Sequence, residues 1–173
     1  MGYSHYYYRP EKFETQQFKA FVEDVKLFLE HLPNHSHSAG GDYAEHPVII
    51  RGWDGTGQPQ LTPNLVSFNG DDENGQGLAH ETMRVPRVFK PESWQLPDPE
   101  ENNCYFQFCK TAGKPYDIVV CATLLSLKYH FPIVTVRSDG TPDDWFAAVA
   151  WYLDCVGRRP LGDGPWFEKQ EGE

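Results

Sequence analysis

The chain has 173 residues, 39% hydrophobic and 23% charged, with 11 Phe, 9 Tyr and 5 Trp. A chain of this length buries roughly 70% of the surface its unfolded form exposes, and the composition lies far from the charge-rich, apolar-poor one that stays disordered. The formal charge of −10, from 25 acidic and 15 basic residues, opposes duplex nucleic acid and anionic membrane surfaces as partners, since both are bound through clustered basic groups.

The start, MGYSHYYYRPEK, has no apolar run of a secretory signal. Tyr6 stands where a myristoylation pattern needs Ser or Thr. Tyr3 to Tyr8 is rich in strand formers and stops before Pro10. A helix is expected over Glu11 to Leu32, because Phe18, Phe21, Val25, Phe28 and Leu32 recur at helical spacing. The polar, Gly-containing stretch from Pro33 to Pro47 is a loop. Val48 to Trp53 and Leu65 to Asn69 are expected strands, each followed by turn residues, Asp54-Gly55 and Asn69-Gly70. Leu78 to Val85 adds a further strand, and the four prolines from Pro86 to Pro99 mark an irregular excursion.

Cys104 to Cys109 is the next strand. Tyr116 to His130, with Pro115 in its first turn, is apolar on nearly all sides and so should lie deep. Its longest apolar stretch, Ile118 to Leu127, is well short of the roughly 20 residues that cross a bilayer. Ile133 to Arg137 is a short strand. A third helix follows Thr141-Pro142-Asp143-Asp144, which has the layout of a capping box, and ends at Gly157. Strands that run consecutively in the middle point to one α+β domain over residues 1–157. It should hold three helices packed on a largely antiparallel sheet, with mixed pairing as the variant, of five to six strands; residues 158–173 form a tail. Cys104, Cys109, Cys121 and Cys155 make no CxxC pair and are expected as buried free thiols.

The segment from Phe106 to Asp117 carries the most chemistry. A helix start presents free amides and a partial positive charge, and Lys110, Thr111 and Lys114 stand beside this one, so an anion such as a phosphate would be drawn there. It is not a Walker loop, because Pro115 follows Gly113-Lys114 where Ser or Thr belongs. The plainer alternative leaves both lysines solvated, with Thr111 or Asp117 capping the helix. His35 and His37 would share a direction if extended and are the nearest approach to a metal pair, although no metal site or other cofactor is expected. For catalysis, His80-Glu81 is an adjacent imidazole and carboxylate lacking the second His of HExxH, and His5 could join Glu81 and Lys110 as an acid–base set only if the strands brought them together.

The opening Met-Gly-Tyr-Ser-His-Tyr and the FxFCKTxxKPYD block, Phe106 to Asp117, resemble a set of uncharacterised proteins encoded by bacteria and their phages. The resemblance covers about a tenth of the chain and brings no activity with it. It implies a bacterial or phage-infected cell and points to one shared site in which Tyr3, His5 or Tyr7 lies near Lys110; a cytoplasmic place is the default expectation where neither a secretory signal nor a membrane-length apolar run is read. Aromatic faces beside two lysines would suit a nucleotide-like ligand. The leading expectation is non-enzymatic capture of such a small anionic ligand, as in a phage or bacterial defence-related factor. A small hydrolase or transferase on a nucleotide-like substrate stays open, and so does an acidic protein-binding factor that mimics nucleic acid. A homo-oligomer is compatible with each.

Overall fold

The computed structural model describes residues 2–35, 43, 45–162 and 164–167. The strands are β1 (Ser4–Arg9), β2 (Gln60–Thr62), β3 (Leu65–Phe68), β4 (Met83–Pro86), β5 (Tyr105–Lys110) and β6 (Thr135–Ser138). The helices are α1 (Thr15–Glu30), α2 (Asp117–His130) and α3 (Pro142–Val156). The class is therefore α+β, with six strands, every pairing antiparallel and three helices among the described residues. The strands divide into two sheets of three, ordered β5-β1-β6 and β2-β3-β4, where the sequence suggested one.

Continuing β1 past Pro10 explains both the division and the late start of α1. Residues 11–13 stay extended: Phe89 N–H donates to the Glu11 carbonyl at 2.7 Å, Phe13 N–H donates to the Arg87 carbonyl at 2.9 Å, and Lys12 pairs with Val88. These residues bridge the first sheet to the chain leaving β4, so they are not free to be helical. Glu14 then caps α1 by accepting from the Gln17 amide at 2.9 Å. The joint is locked by Arg9, which is fully buried. Its guanidinium donates to the carbonyls of Pro10, Pro86 and Arg87, and it lies 4.2 Å over the Phe13 ring.

Val48 to Trp53 does not form the expected strand. Only Arg51 pairs, with Asn69, and the chain then enters a short turn at Trp53–Gly55 in which Asp54 takes a left-handed φ of 57°. β3 already has β2 and β4 on its two sides, so no ladder position is left. The unforeseen β2 takes that place through a tight turn at Pro63-Asn64.

α2 is buried without a break from Asp117 to Lys128, as its uniform apolarity requires, and it contacts both α1 and α3. One continuous core takes in Phe18, Phe21, Val25 and Phe28 of α1, Val66, Phe68, Met83 and Val85 of the second sheet, and Tyr7 and Val136 of the first. Beyond Gly157, Trp166 packs on Trp145 with ring centroids 5.4 Å apart. No helix among the described residues is long and apolar enough to cross a membrane.

Candidate functional site

β1 is the central strand of its sheet, and alternation gives it two chemically different faces. His5, Tyr7 and Arg9 point into the protein, whereas Tyr6 and Tyr8 are half-buried on the outer face. The pairing places Cys109 on one side of His5 and Ser138 on the other, and Lys110 opposite Ser4. The two blocks of the resemblance therefore lie side by side, and the Tyr3 carbonyl also accepts from the amides of Thr111 and Ala112, each at 3.1 Å.

Below His5 stands the first turn of α2. His5 Nε2 is 2.7 Å from Asp117 Oδ1, and Nδ1 is 2.8 Å from Ser138 Oγ. A carboxylate oxygen only accepts, so Nε2 carries the ring proton and Nδ1 is left to accept from the Ser138 hydroxyl. Thr111 Oγ1 donates to the same Oδ1 at 2.5 Å, and Cys121 Sγ, one helical turn on, donates to Oδ2 at 3.6 Å. Burial and the nearby Asp117 charge push the Cys121 thiol well up, so it is held protonated. Tyr3 and Trp145 meet the imidazole edge-on from 5.2 and 5.1 Å.

This packing corrects the expected anion site. The negative charge that a helix start attracts is supplied by the chain's own Asp117, and Thr111, Pro115 and Tyr116 are buried around it. Amides of the first turn are engaged internally, Asp117 N–H on the Lys114 carbonyl and Val119 N–H on the Tyr116 carbonyl. Lys114 Nζ donates to the Ala79 carbonyl at 2.6 Å, and the Lys110 side chain lies along Gly2. Tyr7 is 2% exposed, with its hydroxyl on the Arg84 carbonyl, so it is core and cannot face a ligand. Thr111 and His5, at 0%, are likewise closed to solvent. The acid–base set of His5, Glu81 and Lys110 does not assemble: both His5 nitrogens are occupied, and Glu81 Oε2 accepts the Lys110 backbone amide at 2.7 Å, closing the outer edge of β5.

His35 Nδ1 lies 3.4 Å from the Glu45 carbonyl, and His37 falls outside the described residues. His5, Asp117 and Cys121 form a metal-like grouping among the described residues, with donor atoms within 4.8 Å of one another. All three are buried and already satisfy one another, and the thiol is protonated, so the donor set is a poor fit to a cation.

A second feature lies on the outer side of β5. His80, Glu81 and Arg84 line an open cleft of about 420 Å³ together with Trp53 and Phe108. Asn69, fully buried, builds one wall by accepting from the His80 amide at 3.1 Å and donating to the His80 carbonyl at 2.9 Å. The left-handed Asp54 turn pushes Trp53 out, leaving it 62% exposed, and Phe108 is 56% exposed. The chain matches no family model, no curated protein and no solved structure. Trp53, Arg84 and Ser138 gave no signal in the sequence, because each gains its setting from a turn or a distant pairing. Asp117 was visible only as a capping residue.

Proposed function

We propose that the protein binds a small, anionic, nucleotide-like ligand in the cleft beside β5. One observation carries this reading: Trp53 and Phe108, two large exposed aromatics, wall the same hollow as Arg84, whose guanidinium makes no hydrogen bond or ion pair among the described residues. Aromatic faces stack a base, at about 1–3 kcal/mol per base, and a planar guanidinium is suited to hold a phosphate. The volume falls in the range of small-molecule sites. Glu81 and Asp54 suit the amine edge of a base, and beyond Phe108 the aromatic surface continues through Phe106 to Tyr6, with stacked rings about 6 Å apart. Among the described residues that line the cleft, no nucleophile is hydrogen-bonded to a base, so the ligand should be released unchanged.

Thermal shift and tryptophan fluorescence against mononucleotides, cyclic dinucleotides and nicotinamide-derived nucleotides test this. A ligand at a hundredfold over its dissociation constant raises stability by about 2.7 kcal/mol. Trp53→Ala and Arg84→Ala each abolish the shift while melting like wild type. A panel that moves neither signal, or a shift that survives both substitutions, removes the cleft from consideration.

A further inference from the structure

We propose a catalytic site separate from the cleft and independent of it: Ser138 is the nucleophile of an acyl transfer, His5 its base and Asp117 the residue that positions His5, with carboxylic esters of small apolar acids as substrates. The observation is the continuous chain of hydrogen bonds from Ser138 Oγ through the imidazole to Asp117, at 2.8 and 2.7 Å. Its polarity is that of a nucleophile, a base and an orienting carboxylate. Ser138 is the member of the chain that reaches the surface; the imidazole is fully buried and Asp117 nearly so.

A second imidazole–carboxylate pair, with a buried Asp24 and a half-buried His130, shows what a purely structural arrangement looks like in the same molecule. Asp24 accepts from Ser126, His130 and Arg158, so its charge is neutralised by a guanidinium. Asp117 receives the His5 ring, a hydroxyl and a thiol, and no lysine or arginine among the described residues is bonded to it. His5 stands between Ser138 and Asp117, with Nδ1 on the hydroxyl and Nε2 on the carboxylate, so a proton leaving Ser138 Oγ meets an imidazole that Asp117 already holds in place.

The surroundings of Ser138 supply the rest. The Gly140 amide donates to Oγ at 2.9 Å and fixes the side chain's direction. Tyr3 crosses directly over Gly140, where a Cβ would stand 2.2 Å from the phenol oxygen, so only glycine permits the approach. Burial and the charge of Asp117 raise the Tyr3 pKa far above the ordinary tyrosine value, so its hydroxyl stays a donor beside Ser138, where an oxyanion would form. Four residues on, Pro142 opens a mostly apolar hollow of about 350 Å³ walled by Phe146, Val149 and Trp166, which fits a short acyl group. Trp166 packs on Trp145, which meets the His5 ring edge-on, so two indoles connect the hollow to the imidazole.

In the reaction, Ser138 Oγ bonds to the ester carbonyl carbon while its proton passes to His5 Nδ1. The bond to the alcohol oxygen then breaks, and His5 returns the proton to that oxygen, leaving acyl-Ser138 and free alcohol. Water entering beside Ser138, where the alcohol has left, attacks the acyl carbon and gives its proton to His5 Nδ1, the nitrogen that faces Ser138, and the carboxylic acid leaves as Oγ regains a proton from Nδ1. The sum is ester plus water to acid plus alcohol.

The test treats the full chain with a fluorophosphonate reagent and maps the adduct by peptide mass, alongside hydrolysis of p-nitrophenyl acetate and butyrate. Ser138 is labelled, and Ser138→Ala neither labels nor hydrolyses. Asp117→Asn lowers kcat by about 100-fold or more with KM little changed while its melting curve matches wild type, so that the loss cannot come from a smaller folded fraction. Should the alanine variant fail to fold, Ser138→Cys keeps the position and transfers reactivity to iodoacetamide at residue 138. Wild-type protein that melts normally yet stays unlabelled, labelling or turnover that persists in Ser138→Ala, or a Ser138→Cys thiol that is inert overturns the assignment.

Discussion

Most buried polar side chains here are matched to partners of a suitable kind, and that matching decides what each can do. Arg9 is buried against carbonyls and aromatic rings, with no carboxylate among the described residues bonded to it, and burial brings its guanidinium down to about 10. Asp24 is the opposite case. Burial alone would raise its carboxyl, but donors from His130, Ser126 and Arg158, with the Arg158 charge, outweigh that and leave it below the ordinary value. A carboxyl whose folded pKa lies below its unfolded one stabilises the fold fully above the unfolded value, about 3.9, and loses that contribution as pH falls through the folded value. Asp24→Asn should therefore lower stability at neutral pH and flatten its decline in acid, as measured by urea unfolding at a series of pH values. An acid limb as steep as that of wild type would mean that other carboxylates carry it. Of these residues, the sequence made His5 and Thr111 legible as neighbours, since both lie in the two recognisable blocks. Their burial was not legible, because alternation along a strand says which side chains share a face and not which face is covered. Ser138 was beyond reach for a different reason: its meeting with His5 depends on pairing across more than 130 residues.

Elements with strong local signals came out as the sequence implied. α3 starts at Thr141, whose amide donates to the Asp144 carboxylate at 2.7 Å, and stops at Gly157, where φ is 68°. The left-handed residue lets the Gly157 amide reach the Leu153 carbonyl at 2.8 Å and closes the helix. Gly157→Ala forces a Cβ into that conformation and should cost about 1 kcal/mol, read as a lower urea midpoint with an unchanged m-value. Stability equal to wild type would show that the turn relaxes out of the left-handed region. Where propensity and tertiary demand conflict, the latter decided. Glu11 to Phe13 looked like the start of a helix but was needed to bridge the sheets, and Val48 to Trp53 had the residues of a strand with no free partner to pair with.

The same bridge sets how the whole molecule behaves. Two small sheets could form two weakly joined units, each melting alone, since a three-stranded sheet needs a covering layer to be stable. Here the covering layer is shared. α1 contacts β2 and β3 of the second sheet and also packs on α2, which lies under β6 of the first, so the core runs through both without a gap. Arg9, at the end of β1, reaches the carbonyls at the end of β4 and just after it, and parting the sheets there would strip a buried guanidinium of acceptors that satisfy it. Unfolding should therefore be a single transition, with far-ultraviolet circular dichroism and tryptophan fluorescence superimposed across urea. Met83, in the second sheet, and Leu124, in α2, are both essentially unexposed. Met83→Ala and Leu124→Ala should each move that one transition by about 2–5 kcal/mol and leave the two signals coincident. If Met83→Ala instead splits the curve, so that helix signal persists after the second sheet has melted, then the sheets are separate cooperative units and the bridge at Lys12 and Val88 is too weak to couple them.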